Sequence, residues 1–256
     1  MADFHKKLQN MSNLLTIGIQ NQPKYVTNGL VLYVTGYNMN SYSGTGTTLY
    51  DISGNDNDGT MLGGVSILAP IPGTDIFHYA FYFDGSDDRI TFSVLDPIAD
   101  GLFADASSQW TVSSWFIAQN TSITNQGAIT GKGGGTGGAA TYVVWQQYGN
   151  LYTRLRGGTI LNITNTLNNF GDVHEVVITW DGTTAKAYFN GQFSNNISVG
   201  TAAKQTNVFS IGATGGGNVT RFAGSIIDTK VYNRALTSNE ITYNHDMMRT
   251  IIDAYN

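Results

Sequence analysis

Apolar and polar residues alternate with period two through most of the 256-residue chain, the spacing that sends successive side chains to opposite faces of a β-strand. Tyr79, Phe81 and Phe83 alternate with Ala80, Tyr82 and Asp84, and Val173–Trp180 places His174, Val176, Ile178 and Trp180 on one face. Asp181-Gly182 then turns the chain into Ala185, Ala187 and Phe189, and Asn190-Gly191 follows at once. Asn-Gly is the strongest short hairpin signal, because both central residues of a type I′ turn need positive φ. A β-meander is therefore predicted over residues 173–199. Trp110–Ala118 reads as an aromatic-rich strand with a serine pair inside it, and Arg221–Tyr232 as one long strand. Beyond residue 28 the period changes near the end. Thr237 with Glu240 three residues on forms a capping box, and Ile241, Met248 and Ile252 line one side of the helix it starts.

Residues 1–27 do not share the alternation. Lys6, Lys7 and Lys24 lie here, and Leu8, Met11, Leu14 and Leu15 fall at helical spacing. This stretch reads as an N-terminal arm, either a short amphipathic docking helix or a frayed terminus. No fixed-period repeat and no Pro-rich linker divides the remainder. The simplest partition is an arm of residues 1–27 and a single β domain of residues 28–256.

Composition supports an all-β chain. Of 18 acidic residues only two are Glu, Glu175 and Glu240; Asp favours turns and caps, whereas Glu favours helix interiors. With 31 Gly and only 12% charged residues, the chain suits short strands joined by tight turns. A net charge of -5 gives no basic footprint for nucleic acid or an anionic membrane, so neither is an expected partner. The absence of Cys excludes disulfides and thiolate metal sites. No stretch of 18 apolar residues occurs, and the first 20 residues lack the apolar core of a signal peptide. The expectation is a protein made in a cytoplasm. The Asn-x-Ser/Thr sequons at Asn10, Asn120, Asn162, Asn196 and Asn218 fit chance in an Asn- and Thr-rich chain.

A run from Gly29 to Thr60, GLVLYVTGYNMNSYSGTGTTLYDISGNDNDGT, joins an apolar strand to a long stretch of turn-forming Gly, Ser, Thr, Asn and Asp. It resembles the opening of concanavalin A-like, laminin-G-like jelly-roll domains. Four further blocks are similar to that family in the same order: YFDGSDDRITF (82–92), WTVSSWF (110–116), VVITWDGTTAKAYFNGQ (176–192) and IGATGGGNVTRFAGSIIDTKVYNRALTSNEI (211–241). The resemblance covers roughly residues 28–245. It implies a two-sheet antiparallel jelly-roll β-sandwich with a short C-terminal helix. Thr35 stands where the family's first strand usually continues with Asp, which removes that residue from any binding role. The SYSGTGTTLYDISGN version of the opening is similar to virion proteins of tailed bacteriophages. The resemblance therefore implies a capsid decoration or fibre protein, docked to other virion subunits through the arm, homo-oligomeric, and adhering to surface glycans. A stand-alone carbohydrate-binding lectin is the alternative.

Ca²⁺ is the cofactor such a fold implies, bound on a rim, though none is required. Hard cations take several oxygen ligands, and Asp84, Asp87 and Asp88 form one candidate cluster, with Asp228 as a further carboxylate amid Ile226, Ile227 and Val231. The competing reading is that Asp84 and Asp87 bond their own turn. The Asp51–Gly59 loop has the wrong spacing for an EF-hand, and the G-x-G-x-x-G within Gly131–Gly138 opens no helix, so neither motif carries its usual ligand. Sugar binding calls for aromatic faces flanked by polar groups. Tyr142, Trp145, Tyr148 and Tyr152, beside Gln146, Gln147, Arg154 and Arg156, form the densest such set, with Trp145 and Tyr148 foremost and Tyr37 and Tyr42 behind them. Catalysis is not expected. Glu175 stands alone on its strand where glucanases of this fold carry Glu-Asp-Glu, Glu240 belongs to the helix cap, and His5, His78, His174 and His245 lie in no nucleophile context.

Overall fold

The computed structural model describes residues 25–68, 80–93, 108–118, 126–133, 140–164, 167, 171–200, 208–214 and 220–255. The expected arm helix, Tyr79 and most of the Gly131–Gly138 loop lie outside them. Two antiparallel eight-stranded sheets face each other. The first runs β14 (Gln192–Ile197), β13 (Ala185–Phe189), β12 (Val173–Trp180), β7 (Trp110–Ala118), β16 (Ala223–Tyr232), β5 (Ala80–Asp84) and β4 (Ser66–Leu68), with β1 (Leu30–Thr35) also paired to β16. The second runs β11 (Leu161–Thr164), β10 (Asn150–Leu155), β9 (Ala140–Gln147), β8 (Gly127–Gly133), β15 (Phe209–Ile211), β6 (Arg89–Phe92), β3 (Gly59–Leu62) and β2 (Thr48–Leu49). The expected jelly-roll sandwich is the fold. Among the described residues one helix, α1 (Ser238–Tyr255), follows the last strand.

The alternation seen in the sequence separates two layers. Phe116, Ile178, Trp180, Phe81 and Ile226 from the first sheet meet Ile90, Phe92, Val144, Leu151 and Phe209 from the second in one buried core. Each such side chain contributes about 1.5–3 kcal/mol on burial. The opposite face of the first sheet is also apolar. Trp115, Ile117, Tyr33 and Ile227 lie under Met248 and Ile252 of α1, and Val177, Tyr188 and Tyr232 lie beneath Leu236 and Ile241. The helix face foreseen from Ile241, Met248 and Ile252 is thus the one that seals the sheet.

β16 is the hinge of the topology. β7 pairs along its whole length, while on its other side β5 takes Ala223–Ile226 and β1 takes Asp228–Tyr232. A bulge between Ile226 and Asp228 resets the register at the handover and turns Asp228 with Lys230 toward the α1 layer. β1 has no second strand partner among the described residues. Side chains of the Gly29–Thr60 run stand in for one: Asp51 Oδ1 accepts the Tyr33 N–H at 2.9 Å, Asn57 Nδ2 donates to Val31 O at 2.7 Å, Asn55 Nδ2 donates to Leu30 O at 3.0 Å, and Ser41 Oγ accepts the Thr35 N–H at 3.1 Å. An open strand edge would otherwise invite pairing with another chain. The crowd of Asp, Asn and Ser in this run is therefore edge chemistry.

Candidate functional site

The β9–β10 hairpin turns on Tyr148-Gly149 between the paired residues Gln147 and Asn150. Both central residues have positive φ, 50° and 71°, the type I′ geometry that a bulky residue adopts only at a cost. Tyr148 nevertheless occupies the first position, with 60% of its surface exposed. Asn150 Nδ2 donates to Tyr148 O at 3.1 Å and Leu167 N donates to Gly149 O at 3.1 Å, so the turn is held from both sides. Beside it Gln126 Nε2 donates to Gln147 Oε1 at 3.4 Å. An exposed aromatic face flanked by amides is the chemistry that grips a pyranose ring.

The other aromatic candidates face elsewhere. Tyr142 is buried in the inter-sheet core, bonded to Thr130 Oγ1 at 2.8 Å, and burial raises its hydroxyl above the usual range. Trp145 is buried on the outer face of the second sheet, stacked on the half-buried Tyr152 at 5.5 Å. Arg154 Nε donates to Gly158 O at 2.8 Å, while Arg156 takes positive φ and leaves its buried Nε without a partner. Tyr37 is bonded through its hydroxyl to Tyr33 and Tyr25 at 2.5 and 3.1 Å, and Tyr42 donates to Gly46 O at 3.1 Å. Of the six aromatics, Tyr148 is the one left among the strongly exposed side chains.

The β5–β6 turn brings the carboxylates of Asp84, Asp87 and Asp88 within 4.8 Å of one another. Asp84 Oδ1 accepts the Ser86 N–H at 2.7 Å and Asp88 Oδ2 accepts the Asp84 N–H at 2.8 Å. Asp88 is buried, and its Oδ1 has no partner. Burial holds its carboxyl above the ordinary carboxylate range; the Asp84 N–H opposes this, and the charges of Asp84 and Asp87 add to it. For Ca²⁺, which takes 6–8 oxygens, the donors are right in kind but few, since the turn already spends two oxygens on itself.

Asp228 lies apart from that turn, under α1. Lys230 Nζ donates to Asp228 Oδ2 and sits 3.9 Å from the Tyr25 ring centroid and 4.5 Å from that of Tyr33. Burial raises the Asp228 carboxyl and the Lys230 charge opposes it; burial also raises the hydroxyls of Tyr25, Tyr33 and Tyr37. Glu175, in the same layer, accepts from Ser113 Oγ at 3.0 Å and pairs with His245 Nδ1 at 2.9 Å. His245 in turn stacks on Trp115 at 5.0 Å.

A family model described as the concanavalin A-like lectin/glucanases superfamily matches residues 84–242. The chain belongs to this superfamily. Solved structures agree on the fold. The receptor binding domain of botulinum neurotoxin C/D mosaic serotype superposes with a TM-score of 0.62 at 16% identity over 86% of this chain and 52% of its own. A Trypanosoma rangeli sialidase superposes with a TM-score of 0.61 at 16% identity over 88% of this chain and 33% of its own. The chain therefore spans about half of the toxin domain and a third of the sialidase. No curated protein matches it by sequence. Within the superfamily's sandwich, one rim residue lies in a family-like block of the sequence but not among its candidate site residues. Arg221 is placed beside the Asp84–Asp88 turn by an isolated bridge to Ala213 and by the Ala223–Asp84 pairing, contacts that no local spacing reveals.

Proposed function

We propose that this superfamily member is a non-enzymatic structural protein of a tailed-bacteriophage virion, a capsid decoration or fibre component, that adheres to surface glycans through the rim at Tyr148. Tyr148 carries the adhesion: a 60% exposed ring on a two-residue turn whose φ of 50° favours a smaller residue. Strained, exposed side chains gather where a binding role compensates for them. The virion assignment is supported by the resemblance of the Gly29–Thr60 run to phage proteins. Tyr25 and Val26 are anchored beside α1, with Val26 N bonded to Asn244 Oδ1 at 2.9 Å, and the reading assigns docking to the residues that precede them. The arm docks the chain on neighbouring virion subunits as a homo-oligomer.

The reading assigns no catalysis. Glycoside hydrolysis needs two carboxyl groups flanking a bound sugar, and Glu175 and Asp228 are 1% and 0% exposed beneath a helix. It also assigns no obligatory metal. A glycan array tests the adhesion: the intact chain is expected to bind at least one glycan class, Tyr148→Ala to lose it, and EDTA to leave it unchanged. Equal binding by both proteins would sink the Tyr148 assignment, and hydrolysis of any glycan on the array would overturn the non-enzymatic one. Mass spectrometry of purified particles tests the virion role. Glycan binding by a chain absent from particles would instead identify a stand-alone lectin.

A further inference from the structure

The rim that carries Tyr148 continues to a second polar cluster. Gln146, two residues before Tyr148, pairs with Gly127 at the start of β8. The Arg221–Phe222 backbone crosses this point so closely that a Cβ on Gly127 would lie 3.2 Å from Arg221 O and 3.5 Å from Gln146 Cγ. On its far side the same backbone meets the acidic turn. Ala223 pairs with Asp84, and a Cβ on Gly85 would lie 3.0 Å from that of Ala223. Gln146, Arg221 and the Asp84–Asp88 turn are thus consecutive neighbours along one end of the sandwich.

Two groups in this strip each leave a buried polar atom without a partner. Asp88 is 3% exposed and leaves Oδ1 unpartnered; Arg221 leaves a buried Nη1 unpartnered. They carry opposite charges, yet no ion pair joins them among the described residues. Arg89, whose Nη1 donates to Asp87 O at 3.1 Å, completes the set. Burial and the like charge of Arg89 lower the Arg221 pKa, and Asp87 and Asp88 act against them, so all four charges share one field. A guanidinium only donates hydrogen bonds and a carboxylate only accepts them, whereas a sugar hydroxyl does both. Together the two match adjacent hydroxyls and repel neither.

We infer that Arg221 and Asp88 form a second sugar subsite on the Tyr148 rim, which takes adjacent hydroxyls of a later residue of an oligosaccharide while Tyr148 stacks the first. The inference rests on the glycan-adhesion reading and narrows its ligand from a single sugar to a chain. Three strand spacings separate β9, whose end carries Tyr148, from β6, which Asp88 precedes, about 15 Å, a span suited to several linked pyranoses.

The test is a length series. Cello-, malto- and chito-oligosaccharides of one to six residues are titrated against the intact chain, Tyr148→Ala, Arg221→Gln and Asp88→Asn, with thermal melts as the folding control. The intact chain should gain about tenfold in affinity between one residue and three or four. Arg221→Gln should keep monosaccharide binding and lose that gain, and Tyr148→Ala should lose both. Asp88→Asn supports the same conclusion if it folds, and Arg221→Gln decides the matter if it does not. Undiminished length dependence in Arg221→Gln overturns the inference while leaving adhesion standing. So does a gain that EDTA abolishes, which would give the turn to a cation. Failure of the intact chain to bind any sugar removes the adhesion reading and the subsite with it.

Discussion

Asp228 and Lys230 sit where neither can reach water, at 0% and 2% exposure, bonded to each other beneath two tyrosine rings. Removing one partner strands a buried charge, so Asp228→Ala should cost about 3–5 kcal/mol in urea unfolding. Asp228→Leu with Lys230→Met should recover most of that, because the apolar pair removes both desolvation terms at once. Tyr148 sets function against stability at a single position. Replacing it by Gly relieves the strain of a φ of 50° and should raise stability by about 0.5–1 kcal/mol while abolishing glycan binding. A melt and a binding curve on the same protein check both halves. His174 adds a pH term. Its buried Nε2 has no partner, and burial lowers its pKa, with Asp172 and Asn190 opposing. The folded state thus binds fewer protons than the unfolded one as pH falls below the ordinary histidine range. Stability is full above about pH 6.5 and declines below it, and His174→Gln should flatten that decline.

At the scale of elements, α1 is fixed at its start by more than the capping box that its sequence announces. Glu240 Oε2 accepts the Thr237 N–H at 2.8 Å, and the same carboxylate accepts from Arg234 Nη2 and Nη1 at 2.6 and 2.9 Å, while Arg234 Nε donates to Asn28 O at 2.8 Å. The helix cap thereby clamps the entrance of β1. The Arg234 bonds, with those from Thr237, hold the Glu240 pKa at about 2. A depressed carboxylate contributes stability above its unfolded value and loses it as pH falls through the folded one. Glu240→Gln should therefore cost about 1 kcal/mol at pH 7, and the difference from the intact chain should vanish between about pH 4.5 and 2. The strands, the meander hairpins and the helix face were legible in the sequence because each depends on local periodicity and turn chemistry. The clamp was not, because Arg234 reaches its partner only after the chain has turned out of β16.

The molecule as a whole is a sandwich with a third layer on one side. Tyr25 and Val26 belong to that layer and are kept when residues 1–24 are removed; that truncation should abolish incorporation into particles, and retained incorporation would end the arm's docking role. Fold class came through in the sequence because alternation with period two, Asn-Gly and Asp-Gly turns and a Glu-poor composition each follow from neighbours a few residues apart. Glu175 and Asp228 lay in plain view as isolated carboxylates. That both are sealed beneath α1 depends on a helix some 60 and 10 residues further on in the chain. The candidate rim divides the same way. Tyr148 was visible as an aromatic among amides, but so were Tyr142 and Trp145, and only the pairing of β9 with its neighbours buries those two, on opposite faces of the sheet, and leaves Tyr148 at the tip. Arg221 and Asp88 stand over 130 residues apart in sequence and share a rim through the register of β16 with β5. The sequence by itself determined which segments become strands and where they turn, since those are local free energies of backbone and side chain. The tertiary structure alone decided which polar groups face water and which face one another, because burial and pairing depend on contacts between distant strands.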